Sequence, residues 1–517
     1  MLLSECGERA VAINRFGMEV SMKLSELLQK LDCAVIQNTT EREITGLTSD
    51  SRKVSEGYVF VCIVGAVSDG HKYISQVIEK KAAAVIVQEG SGVPENIPDD
   101  VTVVCVKNTR LALALMSAEY FKRPAEKLFT IGITGTKGKT TTTYMVKNVL
   151  DACGIKTGLI GTIETIIGDE HTPACNTTPE SYAIHESFAK MAEAGCRAVV
   201  MEVSSQGLKL DRTAGIMFDI GVFTNLEPDH IGPDEHASFE EYLECKAKLF
   251  SQCRVGIVNA DDEHTPEILK NASCSVESYG ISSNADIRAE NIELFHEPGK
   301  IGLSYDCTGL VNMPVTLKLP GKFSVYNSLC AIAVTRHFNV DLDILEKMLY
   351  EVKVKGRIEI VNVSDRFTLM IDYAHNAMAL ESILETLKEY RPHRLVCLFG
   401  CGGNRSKERR FEMGEVSGKL ADLTIITSDN PRFEEPLDII ADIQKGIAKT
   451  SGRHVDIADR KEAIRYAIEN AEDGDIIVLA GKGHEDYQEI KGVKYPMDER
   501  VLIKEVVAEL EAQGWRP

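Results

Sequence analysis

The segment Gly135-Thr136-Lys137-Gly138-Lys139-Thr140 constrains this chain more than any other part of its sequence. It follows the apolar run Leu128–Ile133, and Thr141-Thr142-Thr143 then leads into the helical stretch Tyr144–Ala152. A strand, a glycine-rich turn and a helix in this order bring backbone N–H groups and a helix N-terminus to a phosphate. We therefore predict a nucleotide-binding loop, in which Lys139 reaches the β- and γ-phosphates and Thr140 binds Mg²⁺.

The rest of the 517-residue sequence alternates short apolar runs with amphipathic stretches, which predicts an α/β fold. This length favours about three domains. We predict a small N-terminal α/β domain at residues 22–124, a central P-loop domain with a doubly wound parallel sheet at 125–350, and a C-terminal Rossmann-like domain at 351–517. Residues 280–320 are predicted to form an antiparallel edge, and residues 1–21 a disordered extension.

Composition narrows the possible partners. The formal net charge is −20, which argues against nucleic acid or an anionic membrane as the main partner. No apolar run is long enough to span a bilayer, and the first residues lack the apolar core of a signal peptide. The 14 cysteines form no C-x-x-C pair, as expected in a reducing compartment. We predict a cytoplasmic protein that acts on small molecules.

Further polar residues follow predicted strands, at the edge where a doubly wound sheet presents its ligand site. Glu202, in Met201-Glu202-Val203-Ser204-Ser205, is a candidate Mg²⁺ ligand because that ion prefers oxygen donors. Asp229-His230 ends the segment that begins at Thr224, and the stretch Tyr242–Phe250 contains Lys246 and Lys248. Taken singly, a histidine is more often structural and a helical lysine more often solvated, so these residues gain meaning only in combination.

In combination and in this order, these motifs closely resemble those of the Mur ligases, from about Leu24 to the C-terminus. The resemblance implies domains that bind UDP, ATP and an amino acid. It implies that Thr140, Glu202 and His230 hold Mg²⁺, that Lys246 carries a CO₂-derived carbamate serving a second Mg²⁺, and that Lys139, His230 and Lys246 are catalytic. Lys248 is the neighbouring alternative to Lys246. The implied ATP contacts are Gly135, Thr136, Lys137, Gly138, Lys139, Thr140, Thr141, Asn327, Arg357, Asp372 and His375.

Within that family, the sequence resembles the branch that extends a UDP-muramoyl dipeptide. The implied acceptor contacts are Ser51, Asn176, Thr177, Thr178, Ser204 and Arg212. The implied contacts of the incoming amino acid are Arg405, Asp429, Asn430, Pro431, Arg432, Gly481 and Glu485. Arg432 favours meso-diaminopimelate over lysine, because a guanidinium binds the second carboxylate of the former and repels the terminal ammonium of the latter.

The predicted function is therefore an ATP-dependent amide-bond ligase of peptidoglycan precursor synthesis, acting through an acyl phosphate and releasing ADP and phosphate. The chain is expected to act as a monomer. The sequence departs from the family at Gln206, Leu210 and residues 231–238, where the acceptor carboxylate is expected. The alternatives are a paralogue that adds lysine or another amino acid, a ligase similar to folylpolyglutamate synthase, and a non-catalytic P-loop switch.

Overall fold

The computed structural model describes residues 22–516, with the exception of residues 66, 67, 93, 95, 229, 230, 233, 234, 283 and 298. The predicted extension at residues 1–21 lies outside the described part. The chain divides into two compact units: the first includes described residues of Met1–Lys137, Ile155–Gly256 and Asp262–Val276, and the second those of Gly138–Gly154, Ile257–Asp261 and Glu277–Pro517. The boundary between the units therefore falls inside the glycine-rich loop.

The N-terminal part of the first unit is a small α/β layer built around one sheet. Its strands are β1 (Met22–Lys23), β2 (Cys33–Gln37), β3 (Glu43–Ile44), β4 (Gly46–Thr48), β5 (Tyr58–Val61), β6 (Ala84–Gln88) and β7 (Thr102–Val106), and its helices are α1 (Leu24–Leu27), α2 (Ile74–Glu79) and α3 (Thr109–Tyr120). The sheet order is β2-β7-β6-β5-β4, parallel except for β2. The parallel strands β4–β7 are largely buried, as expected where helices cover both faces of a sheet, whereas the edge strand β2 is largely exposed. Val59, Ile86 and Leu113 belong to one core.

The middle of the chain alternates strands and helices. Its strands are β8 (Phe129–Thr134), β9 (Thr157–Ile160), β10 (Glu164–Ile167), β11 (Glu170–Pro173), β12 (Ala198–Glu202), β13 (Phe218–Phe223), β14 (Cys253–Asn259), β15 (Ser275–Gly280), β16 (Ile287–Glu297), β17 (Lys300–Gly309) and β18 (Met313–Leu317). Its helices are α4 (Lys139–Ala152), α5 (Ser181–Glu193), α6 (Ser205–Lys209), α7 (Phe239–Ala247), α8 (Thr265–Ile268), α9 (Lys322–Thr335) and α10 (Leu342–Glu351).

In the first unit, β8 is the centre of a parallel sheet. Ile131 pairs with Val200 of β12 on one side and with Ile220 of β13 on the other. All three side chains are completely buried. The carboxyl ends of these strands therefore lie at one edge, which is where the glycine-rich loop, Glu202 and Thr224 follow them. The antiparallel hairpin formed by β10 and β11 continues this sheet beyond β9.

In the second unit, β16, β17 and β18 are antiparallel, which confirms the edge predicted at residues 280–320. The C-terminal part adds strands β19 (Glu359–Val361), β20 (Thr368–Asp372), β21 (Leu395–Phe399), β22 (Leu423–Ile426), β23 (His454–Asp456), β24 (Ile476–Ala480), β25 (Tyr487–Ile490) and β26 (Val493–Pro496). Its helices are α11 (Ala377–Lys388), α12 (Lys407–Leu420), α13 (Pro436–Ile447), α14 (Arg460–Glu469) and α15 (Glu499–Ala512).

The C-terminal sheet has the order β19-β20-β24-β21-β22-β23, and only β19 is antiparallel to its neighbour. The loops after β20, β21, β22 and β24 leave this sheet at one edge, because those strands are parallel. These loops contain the predicted amino-acid contacts. A separate hairpin of β25 and β26 follows the last of them. No helix in the described part of the chain is long and apolar enough to cross a membrane.

Candidate active site

The first half of the glycine-rich loop is held by the two residues that follow β13. Thr224 Oγ1 donates a hydrogen bond to the carbonyl of Lys137 at 2.7 Å, and Asn225 Nδ2 donates to the same carbonyl at 3.1 Å. Asn225 Oδ1 in turn accepts from the Lys137 N–H at 2.8 Å. Gly135 has a φ of 148°, and a Cβ atom there would overlap Thr224 Oγ1. Only glycine fits this close approach.

The second half of the loop opens α4. Gly138 caps the helix in the left-handed region with a φ of 85°, and a Cβ atom there would overlap Asn327 Oδ1. The same amide oxygen accepts from Thr142 Oγ1 at 3.4 Å. Asn327 on α9, predicted from the family motif, thus lies against the loop. The helix begins at Lys139, so its first N–H groups have no intrahelical acceptor and are suited to an anion.

Lys246 reaches the glycine-rich loop from α7. Its side chain is only 1% exposed, and Nζ donates to the carbonyl of Gly135 at 2.9 Å. The same nitrogen lies 4.4 Å from the centre of the Tyr242 ring, whose hydroxyl is 3.0 Å from Thr136 Oγ1. Lys248, the neighbouring alternative, instead lies 3.5 Å from the carbonyl of Leu208. The geometry therefore favours Lys246 as the lysine of the site.

Glu202 is buried at the carboxyl end of β12, with 1% of its surface exposed. Its Oε1 accepts from the Thr162 N–H at 2.8 Å and its Oε2 from Thr162 Oγ1 at 3.0 Å. Thr162 was not among the predicted residues, although its place just after β9 is the same kind of strand end. His230, predicted to act with Glu202, lies outside the described residues. Within the described part, no cluster of three or more His, Cys, Asp and Glu side chains could hold a metal.

The predicted acceptor residues gather around Thr178. Its Oγ1 accepts from the Ser204 N–H at 2.9 Å, and its carbonyl accepts from Arg212 Nη1 at 2.8 Å. Arg212 also pairs with Glu180 through Nη2 at 2.6 Å. Thr177 Oγ1 lies 3.0 Å from Thr162 Oγ1, which links this group to Glu202. Asn176 is exposed.

Ser51 and the segment at residues 231–238 were also expected on the acceptor side. Among the described residues, no hydrogen bond or ion pair joins Ser51 to the group around Thr178; its carbonyl instead accepts from Lys80 Nζ at 2.8 Å. In the segment that departs from the family, His236 is 1% exposed and its Nε2 is 2.9 Å from Ser205 Oγ. The inserted segment is thus tied to the start of α6.

The loop after β22 carries Asp429, Asn430, Pro431 and Arg432, and the loops after β21 and β24 lie against it. Asn430 Nδ2 donates to Glu485 Oε2 at 2.9 Å. A Cβ atom at Gly481 would lie 3.1 Å from Asp429 Oδ2, and one at Gly403 would overlap the Pro431 carbonyl. These contacts bring the loops after β21, β22 and β24 together. Arg405 belongs to the same group, because a Cβ atom added at Gly402 would lie 3.8 Å from Arg405 Cγ. The Arg405 side chain is exposed.

Arg432 is held at two of its donor positions. Nη1 donates to the Gly403 carbonyl at 2.7 Å, and Nε donates to Glu489 Oε2 at 3.2 Å. Its backbone lies in the left-handed region with a φ of 51°. The Arg432 N–H donates to the Glu489 carbonyl, which pairs this residue with strand β25. Within the described part of the chain, Nη2 has no protein partner. The guanidinium is therefore fixed in orientation and keeps donors for a ligand carboxylate.

Glu485 is ionised in spite of its burial. Burial alone would raise the pKa of this carboxyl, but the charge of Lys482 and the hydrogen bonds from Lys482 and Asn430 outweigh it, so the pKa lies below its ordinary value. Both protein hydrogen bonds use Oε2. An anionic oxygen thus lies in the same cluster as the Arg432 guanidinium, a pairing that matches an amino acid with ammonium and carboxylate groups.

Arg357, Asp372 and His375 surround Tyr373. The Arg357 guanidinium lies 4.5 Å from the centre of the Tyr373 ring, and the His375 ring lies 4.6 Å from it. Asp372 accepts from the Ile358 N–H at 2.9 Å, which fixes the segment that carries Arg357. The structure therefore brings these three predicted ATP contacts together in one group.

Comparison with known proteins shows the family to which this chain belongs. The Mur ligase family catalytic domain matches residues 43–121, the Mur ligase middle domain residues 133–335, and the Mur ligase glutamate ligase domain residues 356–483. The matches follow the three-part order predicted from the sequence. This chain belongs to the Mur ligase family, and its three-domain α/β architecture is the one predicted.

Two relatives and one solved structure that resemble this chain carry the same name. A UDP-N-acetylmuramoyl-L-alanyl-D-glutamate--2,6-diaminopimelate ligase from Clostridium perfringens is 41% identical, covering 94% of this chain and 99% of that protein. Its counterpart from Caldanaerobacter subterraneus is 42% identical, covering 95% and 100%. A solved structure of a ligase of this name matches with a TM-score of 0.70 and 28% identity, covering 96% of this chain and all of that one.

Gly138→Ala and Gly154→Ala form a matched pair at the two ends of α4, because their φ values are 85° and 77°. Each substitution introduces left-handed strain of about 1–2 kcal/mol. Nothing lies within 4 Å of a Cβ at Gly154, whereas one at Gly138 overlaps Asn327. We expect only Gly138→Ala to weaken binding of a non-hydrolysable ATP analogue, by about tenfold or more in calorimetry. Equal affinities in the two variants would contradict the assignment of the loop.

Proposed function

We propose that this chain is an ATP-dependent ligase that adds meso-diaminopimelate to UDP-N-acetylmuramoyl-L-alanyl-D-glutamate. Relatives of that name match it nearly end to end at about the same length. The observation that carries the choice of amino acid is Arg432, fixed by Gly403 and Glu489 with donors to spare. A guanidinium there favours a substrate whose far end carries a carboxylate.

The glycine-rich loop would bind ATP. Its backbone N–H groups and the start of α4 face the phosphates, while Lys139 neutralises the β- and γ-oxygens. Thr140, Glu202 and His230 would hold Mg²⁺, and the donors that are described fit it: a hydroxyl and a buried carboxylate are hard oxygen ligands. When bound, Mg²⁺ supplies Lewis-acid stabilisation of the phosphoryl charge. Asn327, Arg357, Asp372 and His375 would contact the rest of the nucleotide.

Lys246 would carry a carbamate. A neutral lysine amine adds CO₂ to form an N-carboxylate and releases one proton, so a cation becomes an anionic oxygen donor. Burial supports this change, because a lysine ammonium is poorly solvated at a site that is 1% exposed. The contact of Nζ with the Gly135 carbonyl supports this proposal, because a carboxylate on that nitrogen would lie beside the glycine-rich loop. The carbamate oxygens would serve a second Mg²⁺.

The reaction then proceeds in two steps. A carboxylate oxygen of the D-glutamyl acceptor, held by residues including Thr178, Ser204 and Arg212, attacks the γ-phosphorus in line and ADP leaves. This step forms an acyl phosphate. The incoming amine attacks the acyl carbon, phosphate departs with the former carboxylate oxygen, and an amide remains. Most of the rate enhancement comes from positioning and electrostatic stabilisation.

The incoming diamino acid would lie in the cluster around Asn430. Arg432 binds a carboxylate through its remaining donors, and Arg405, which is exposed, can bind another. Glu485 accepts from an ammonium group. Asp429, Pro431 and Gly481 shape the backbone of this pocket.

Because ATP and UDP-linked precursors are made in the cytoplasm and one chain supplies every residue named, we propose a monomer that works there.

The function is tested by measuring phosphate release with ATP, the UDP-muramoyl dipeptide and a panel of amines. We expect meso-diaminopimelate to stimulate release strongly and L-lysine to do so weakly, because Arg432 repels a terminal ammonium. Stimulation by lysine without stimulation by diaminopimelate would overturn the choice of amino acid. Turnover of a folate would favour a folylpolyglutamate-synthase-like ligase, and ATP binding without amine-dependent release would favour a nucleotide switch.

Arg432→Ala tests the selectivity, with Arg391→Ala as its control. Both arginines lie in the left-handed region, with φ values of 51° and 50°, but Arg391 is exposed elsewhere in the second unit. Arg432→Ala should lower the preference for diaminopimelate over lysine by about 2–3 kcal/mol, the scale of a hydrogen bond between charged groups. The measurement is the ratio of kcat/KM for the two amines. An unchanged ratio would contradict the assigned role.

Lys246→Ala tests the carbamate, with Lys248→Ala as its control. We expect Lys246→Ala to lower kcat by about 10²–10³-fold, the usual scale for one electrostatic catalytic group, and Lys248→Ala to leave it nearly unchanged. Bicarbonate cannot rescue the first variant because no amine remains. In ¹³C-bicarbonate, the parent protein should give a carbamate carbon resonance that Lys246→Ala lacks. Normal turnover by Lys246→Ala, or the same resonance in it, would refute the assignment.

A further inference from the structure

The cluster of residues around Asn430 contains a cation for which the sequence motifs indicated no role. Lys482 follows β24 directly after Gly481 and is completely buried. Its ammonium group has three donors. They are directed at Glu485 Oε2 at 2.7 Å, Asn430 Oδ1 at 3.1 Å and the Tyr487 carbonyl at 2.5 Å. Since all three are used within the protein, Lys482 does not bind the substrate itself.

The contact with Asn430 determines which way its amide faces. Asn430 Oδ1 accepts from Lys482 Nζ and from the Glu489 N–H at 2.9 Å. Both neighbours are donors, so the oxygen must face them and Nδ2 must face Glu485. Without the lysine, one of the two donors that enforce this orientation is gone.

The contact with Glu485 determines which of its oxygens serves the ligand. Lys482 and Asn430 both donate to Oε2, and Oε1 has no protein partner within the described part of the chain. The positive charge of Lys482 also keeps this buried carboxyl ionised. An ammonium group of the substrate therefore meets an anionic oxygen that is already oriented.

We propose that Lys482 is a positioning residue of the amino-acid site, which holds Glu485 and Asn430 in the arrangement that receives an ammonium group of the incoming diamino acid. The inference rests on the proposed function, because it assigns Glu485 to that substrate. It concerns binding of the amine and leaves the ATP and acceptor sites untouched.

Lys482→Met tests the inference through the three Michaelis constants. The variant keeps the length of the side chain and removes its charge and donors. We expect KM for meso-diaminopimelate to rise about tenfold or more, the loss that follows from removing a charged hydrogen-bond partner. KM for ATP and for the UDP-muramoyl dipeptide should not change. Lys494→Met, in the neighbouring hairpin, is the control. It makes the same substitution at a lysine whose Nζ lies 3.9 Å from the centre of the Tyr487 ring.

The pH dependence separates positioning from a general loss of structure. The groups around Glu485 and its partner Lys482 are His484 on the same loop, Asn430 and Asp429 after β22, Tyr373 after β20, and Tyr487 on β25. Without Lys482, burial raises the pKa of Glu485, and the carboxyl is partly protonated at low pH. The KM defect of Lys482→Met should therefore shrink as pH rises from about 6 to about 8. The parent should lack this trend.

A double variant keeps the test decisive if Lys482→Met folds poorly, as judged by its thermal midpoint. Lys482→Met with Glu485→Gln removes both buried charges, which is better tolerated than removing one. We expect Lys482→Met to raise KM for diaminopimelate by a smaller factor in the Glu485→Gln background than in the parent. An equal factor in both backgrounds, or an unchanged KM in Lys482→Met, would overturn the proposal. Failure of the parent to use diaminopimelate would instead refute the proposed function.

Discussion

The active site depends on how Thr224 and Asn225 bind the backbone of Lys137. Three hydrogen bonds of 2.7–3.1 Å fix both the N–H and the carbonyl of that residue. Because β8 and β13 are parallel, the residues after their carboxyl ends meet at one edge, and side chains of one strand's loop can hold the backbone of the other's. With the loop fixed, the Gly135 carbonyl accepts a hydrogen bond from Lys246, which brings a buried lysine to the candidate phosphate-binding loop.

The fold was largely predictable, because buried parallel strands leave a strong signal. The runs around Ile131, Val200 and Ile220 are predominantly apolar, as expected of strands covered on both faces. The antiparallel region after residue 280 was also predictable, because its sequence is rich in residues that favour strands. The hairpin of β10 and β11 was not, because Glu170–Pro173 is fully exposed and carries no apolar pattern. The β25–β26 hairpin was missed for the same reason, since Val493–Pro496 is exposed along its whole length.

Motifs indicated the candidate site residues, but not the residues that orient them. Arg432 and Glu485 stand in segments that the sequence makes recognisable. Glu489 binds Arg432 from a hairpin without such a pattern, and Lys482, in the same segment as Glu485, had no predicted role. One signal was available: Lys482 comes two residues after the apolar strand Ile476–Ala480, where a lysine needs a partner if it is buried. The left-handed backbone of Arg432 had no signal in the sequence, because it results from pairing with the β25 segment.

The central claim is that ATP is used to activate a carboxylate as an acyl phosphate, which the amine then opens. Labelling all the carboxylate oxygens of the D-glutamyl residue of the acceptor with ¹⁸O tests it directly, with unlabelled ATP and water. Mass spectrometry of the released phosphate should find one ¹⁸O atom per phosphate, in an amount equal to the amide formed. Phosphate without label, released in step with amide formation, would contradict the mechanism.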